Sequence, residues 1–219
     1  MIASSLFFHS EFLTLVVAFL TGIVGPIALL YFKHILNLRR EKDRTKRRDD
    51  FNITIEMQQK INSTLNFLQN KYDLDRVWIA QFHNGGNFYP GNKSMKKLSA
   101  TFESTKPGVS TDLMKMQSLP ISFFSKVLTE MNETQAGVII ETGETNENAF
   151  KDFWLHRGVH RSYMFPIVCL EGDFIAILGV DFNNTNGRLS DELYKELENE
   201  AKLLAGYVAI VSIEKNNYL

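Results

Sequence analysis

The chemistry-bearing residues of this chain gather in two short segments. The first reads Gln81-Phe82-His83-Asn84-Gly85-Gly86-Asn87-Phe88-Tyr89. Gly85 and Gly86 let backbone amides come close to a bound molecule, while Gln81, His83 and Asn84 supply donors and acceptors. Tyr89 adds an apolar ring with a polar tip. That set suits hydrogen-bonded recognition of a small polar ligand. The same dipeptides, Asn-Gly and Gly-Gly, also make ordinary turns. The second segment holds Trp154, His156, Arg157, His160, Arg161 and Tyr163. Arg157 and Arg161 can grip a carboxylate or phosphate, and Trp154 can stack on a ring. His160 and Tyr163 add hydrogen-bonding tips. A plain structural reading stands beside this one: cations favour a helix C-terminus, and Trp154 fills a core.

Metal and catalytic chemistry find less footing. Gly158 is expected to end a helix between His156 and His160, and no acidic pair completes a metal set with His83. The lone Cys169 rules out an intrachain disulfide and a cysteine-based zinc cluster. No phosphate-binding loop, Ser–His–Asp context or paired carboxylates on one strand is present. Glu141, Glu144, Glu147 and Asp152 are expected to form a solvated face. The sequence therefore assigns no catalytic residue, no metal and no cofactor, and the chain is expected not to be an enzyme.

The elements that must position these groups follow from periodicity. Lys33 to Asp75 lacks proline and glycine and reads as one long helix, with Phe51, Ile55, Ile61, Leu65, Leu68 and Tyr72 as its apolar stripe. That stripe packs on its own domain or on a second copy. Strands are expected at Arg76–Phe82, Lys97–Ser104 and Gly137–Glu141. A helix capped by Ser118 is expected from Pro120 to Met131, and another over Asn148–His156. Ser162–Leu170 and Phe174–Phe182 form a hairpin turned at Glu171-Gly172-Asp173. A closing helix runs from Ser190 to about Glu214. The class is α+β: a mostly antiparallel sheet with long first and last helices covering one face.

Ahead of this domain, Phe12 to Phe32 carries no charged residue. About 20 such residues cross a hydrocarbon core of ~30 Å. Eight basic residues lie between Lys33 and Arg48, which leaves 16 of the 24 basic and 22 of the 25 acidic side chains to residues 49–219. The positive-inside rule then puts the N-terminus outside and the domain in the cytoplasm. An acidic domain without a basic face speaks against nucleic acid. The expected layout is a tail at 1–11, a membrane span at 12–32, a basic juxtamembrane and connecting helix at 33–72, and the folded domain at 73–219, its leading helix starting near 50. The partners expected are the lipid bilayer, a second copy (a homodimer or higher oligomer), and a small polar or anionic ligand.

The leading helix into RVWIAQF, the hairpin YMFPIVCLEGDFIAILGVDF and the closing helix SDELYKELENEAKLLAGYVAIV resemble a GAF domain, a relative of PAS domains. Pro166 and Gly179-Val180 match the family's paired late strands, and the likeness covers about residues 50–214. It implies an antiparallel sheet flanked by helices, a ligand pocket near the Trp154–Tyr163 segment, and ligand sensing or dimeric scaffolding without catalysis. Asn92-Lys93-Ser94 departs from the family's Asn-Lys-Phe-Asp-Glu signature for cyclic nucleotides. Cys169, inside an expected strand, is not where a bilin would attach. One span, a basic collar and QFHNGGNFY are together similar to uncharacterised membrane proteins of tailed phages, and the layout is similar to the T-even phage holin. The leading expectation is a single-pass membrane-anchored sensor or regulatory module. The alternatives are a membrane-permeabilising lysis protein and a ligand-free dimeric scaffold.

Overall fold

Because neither proline nor glycine interrupts Lys33–Asp75, a single helix can run through it. In the computed structural model, helix α1 spans Gly25–Tyr72, 48 residues. The structure describes residues 19, 22, 24–84, 87–88, 95–145 and 148–213. It divides into two compact units, Met1–Asn52 and Ile53–Leu219. Residues 12–18, 20, 21 and 23 of the Phe12–Phe32 run lie outside the described residues. Among those described, no helix is long and apolar enough to cross a membrane.

Within the second unit the strands are β1 (Arg76–Asn84), β2 (Asn87–Phe88), β3 (Lys97–Thr105), β4 (Leu119–Pro120), β5 (Val138–Glu141), β6 (Arg161–Val168) and β7 (Phe174–Phe182). They form one sheet in the order β4-β3-β1-β7-β6-β5, antiparallel throughout, with β2 paired to the end of β1. Helices α2 (Ser125–Thr134), α3 (Asn148–His156) and α4 (Asp191–Ile213) complete the set.

Period-two alternation sorts the strands' side chains onto two faces. Val77, Ile79, Tyr163, Phe165, Ile167, Leu178 and Val180 share one core with Ile61, Leu65 and Leu68 of α1 and with Leu197, Ala201, Leu204 and Val208 of α4. The two helices run antiparallel: Lys71 Nζ lies 3.1 Å from Glu196 and Lys60 sits over the Tyr207 ring. Trp78, Ala80, Phe82, Met164 and Ile177 point to the opposite face. There they meet Met116, Phe124, Val127, Met131, Phe150 and Trp154 from short helices and connections. Gly179 sits directly across from Trp78, and a Cβ there would lie 2.0 Å from Trp78 Cε2. The glycine in the Gly-Val pair is thus the floor under an indole.

Four expectations need correction. The Pro120–Met131 helix is broken: Leu119–Pro120 join the sheet as β4, Ile121–Phe124 make a 3-10 turn, and α2 starts only at Ser125. Ser118 is no cap; it sits at φ 55, and its amide bonds to Ser99 Oγ instead. β6 ends at Val168, so Cys169 lies in the hairpin turn, where burial and neighbouring Glu171 raise its pKa. Of the α1 stripe, Phe51 and Ile55 are exposed, and the buried set starts at Met57. The last helix does start as read, with Ser190 Oγ accepting the Leu193 amide at 3.2 Å.

Candidate functional site

The two chemistry-bearing segments do not meet. Gln81 pairs with Ala176 across β7, while Arg76 pairs with Asp181, so Arg76 and Gln81 lie about 16 Å apart along β1 at ~3.3 Å per residue. At the first end, Gln81 is buried and donates to Ser212 Oγ at 2.9 Å. His83 Nε2 is 2.7 Å from Ser99 Oγ, also buried. Asn84 Oδ1 accepts the Lys96 amide at 2.8 Å. These three groups knit β1 to α4, β3 and the start of β3. Gly85, Gly86 and Tyr89 lie outside the described residues.

At the other end, Trp154 is fully buried against Phe150 and Phe153, with the Arg157 guanidinium 4.7 Å from its ring centroid. Arg157 is not open to a ligand anion. Its Nε lies 3.0 Å from Asp112 Oδ2 and its Nη2 3.1 Å from Asp181 Oδ2. Arg76 completes a square with the same two oxygens, at 3.0 and 3.2 Å, and its Nε lies 3.2 Å from Glu103. Ser162 donates to Asp181 Oδ1 at 2.7 Å. Lys115 reaches Asp112 Oδ1 from the surface at 2.9 Å. Three cations therefore meet three carboxylates, and Arg76, Asp112, Asp181 and Ser162 are all completely buried. Removing charges from water is tolerable only with such full pairing. The square clips the connection 106–118 onto the sheet.

Arg161 sits on the strand positions that alternate with Ser162, alongside Tyr163. It bonds Glu141 and the Gly187 carbonyl. Tyr163 Oη accepts the Leu189 amide at 3.3 Å. His156 and His160 are exposed on either side of Gly158, which takes φ 68. Arg157 and Arg161 thus engage different carboxylates on different faces and cannot clasp one anion between them.

The candidate site is elsewhere. A cavity of about 300 Å³ opens between the 3-10 turn, α2, β5 and the start of α3. Phe124, Val127, Val138, Ile140 and Phe150 give it an apolar floor, and Phe123, Lys126, Glu130, Glu141, Glu144 and Thr145 form its rim. Of the expected solvated face, Glu144 and Asp152 are exposed and Glu141 is half-buried against Arg161; Glu141 and Glu144 also line this cavity. Sequence reasoning missed the cavity and the buried square alike. The square had a signal: Arg76 and Asp181 are lone charges at the ends of apolar strands, RVWIAQF and FIAILGVDF. The cavity had none, because its walls come from three separated segments.

No protein-family model matches the chain, and no curated protein is similar to it. Solved structures do share its fold. A phycoerythrobilin-bound GAF domain from a cyanobacterial phytochrome aligns with a TM-score of 0.59 at 16% identity, covering 77% of this chain and 95% of that one. The GAF domain/HD domain protein from Geobacter sulfurreducens aligns at 0.52 and 11%, over 74% and 94%. The blue-light absorbing PixJ GAF domain of Thermosynechococcus elongatus aligns at 0.54 and 11%, over 73% and 91%. The fold of residues following the basic collar is that of a GAF domain.

Proposed function

We propose that this chain is a non-catalytic sensory module whose GAF-fold domain takes a small ligand in the cavity beside β5. One observation carries the reading: the cavity of about 300 Å³, apolar at its floor and polar at its rim. Small-molecule sites have that make-up. It lies on the sheet face covered by short helices and connections, the kind of cover that carries binding groups on a rigid scaffold. The same fold holds phycoerythrobilin in a cyanobacterial phytochrome, which supports a ligand-holding use of it here. A ligand shifts the module between states only by its differential affinity for them. A thermal-shift screen of the full chain against nucleotides and metabolites tests the reading, since a binder raises stability as RT ln(1 + [L]/Kd). The expected hit loses its effect in Thr145→Trp, which adds an indole at a half-buried rim position of the cavity.

The module is held at a membrane through Phe12–Phe32, with the domain in the cytoplasm. The uncharged run and the basic collar support this. So does the start of α1, where Leu29, Leu30, Tyr31 and Phe32 are each at least 60% exposed. A reporter fused after Leu219 should prove cytoplasmic; a periplasmic signal would favour the lysis-protein alternative. The exposed Phe67, Leu203 and Ile210 on α1 and α4 support a homodimer. Leu203→Glu should then lower the sedimentation mass to that of one chain.

A further inference from the structure

The cavity's walls and rim specify the sign of its ligand. Phe123, Phe124 and Phe150 form a mutual cluster, with ring centroids 5.2, 5.5 and 5.8 Å apart. All three residues line the cavity. Aromatic rings present negative faces, which attract an organic cation. The rim holds three carboxylates, Glu130, Glu141 and Glu144, and one ammonium, Lys126. Glu141 is neutralised by Arg161. Among the described residues Glu130 and Glu144 form no ion pair, and neither does Lys126, although it precedes Glu130 by one helical turn. That leaves two uncommitted carboxylates against one uncommitted ammonium. Of the two arginines expected to hold an anion, Arg157 is committed to Asp112 and Asp181 away from this rim, and Arg161 is spent on Glu141 at it.

We propose that the cavity binds a small organic cation, an ammonium or guanidinium on an apolar or aromatic body. This rests on the cavity being the ligand site. The body lies against Phe123, Phe124 and Phe150, and the charged head faces Glu130 and Glu144. A carboxylate-headed ligand of the same shape meets the two carboxylates as like charges and is rejected.

The test compares two probes of matched shape, phenethylamine and 3-phenylpropionate, by calorimetric titration into the full chain. Phenethylamine should bind, and 3-phenylpropionate should bind at least about tenfold more weakly. The double variant Glu130→Gln/Glu144→Gln should weaken the amine about fivefold or more, and Lys126→Met should strengthen it about twofold. These opposite signs at one rim are not produced by a general loss of structure. Raised salt should weaken binding of the amine. Equal or tighter binding of 3-phenylpropionate overturns the proposal, as does amine binding that ignores all three rim substitutions, or no binding of the amine. The cavity reading fails separately. If a neutral or anionic hit from the metabolite screen is abolished by Thr145→Trp, the cavity stands and the cation does not. If every hit survives Thr145→Trp, the cavity itself is wrong.

Discussion

The two faces of the sheet are built on different principles. One is sealed by α1 and α4, whose aliphatic residues interlock with the strands in a single apolar core. The other is covered by short helices and irregular connections. It contains a buried charge network, a cluster of five aromatic rings and an open cavity. Apolar packing needs no direction, so two regular helices suffice for the first face. Irregular connections expose backbone polar groups and bury little, so the second face needs specific clips. The Arg76–Asp112–Arg157–Asp181 square is such a clip, and by pinning 106–118 it leaves the α2–β5 side free to remain concave. A sealed face gives stability; a clipped one gives stability together with room for a ligand.

The clip should be the costliest point to break. Asp181→Asn keeps the shape but deprives two buried guanidinium groups of a charge, and urea denaturation should record a loss of about 3–5 kcal/mol. A loss under ~1 kcal/mol would mean that the square is incidental. On the sealed face, Leu204→Ala removes a fully packed side chain and should cost about 3 kcal/mol with no change in ligand affinity. Gly179→Ala forces a methyl into the Trp78 indole. It should cost about 1–3 kcal/mol and alter tryptophan fluorescence; an unperturbed spectrum would dismiss that contact.

The smallest effect lies on α4. Burial, with Glu196 nearby, raises the pKa of Glu200. A raised carboxyl contributes fully below its unfolded value near 4.3 and loses that contribution as pH climbs through the folded value. At neutral pH its charge therefore works against folding. Glu200→Gln should raise Tm slightly at pH 7, and the gain should vanish near pH 4. A constant gain across that range would point to packing instead.

Much of the sealed face was legible in the sequence, because it follows from periodicity alone. The alternation in RVWIAQF and FIAILGVDF and the helical spacing of Leu193, Leu197, Ala201, Leu204 and Val208 name its members directly. Its hairpin turn was equally plain, with Gly172 at φ 87 where Glu-Gly-Asp predicts a reversal. The clipped face was not legible. Arg157 looked available because its partner Asp112 lies 45 residues away on a connection with no regular pattern. His83 was read as a ligand-binding group because a glycine-rich segment follows it, yet Ser99 takes its ring nitrogen inside the sheet. Pro120 suggested a helix start, but its φ of −63 with ψ 133 suits an extended edge strand as well. Polar groups reveal their roles only through partners, and partners distant in sequence leave no local trace.

The proposed function assigns ligand recognition to the cavity beside β5 and not to the conspicuous polar segments. Amide hydrogen exchange of the full chain, with and without saturating phenethylamine, tests it most directly. Added protection should concentrate in residues 121–131 and 138–145, the walls of the cavity. Protection centred instead on 81–84 or 157–163, with the cavity walls unchanged, would contradict it.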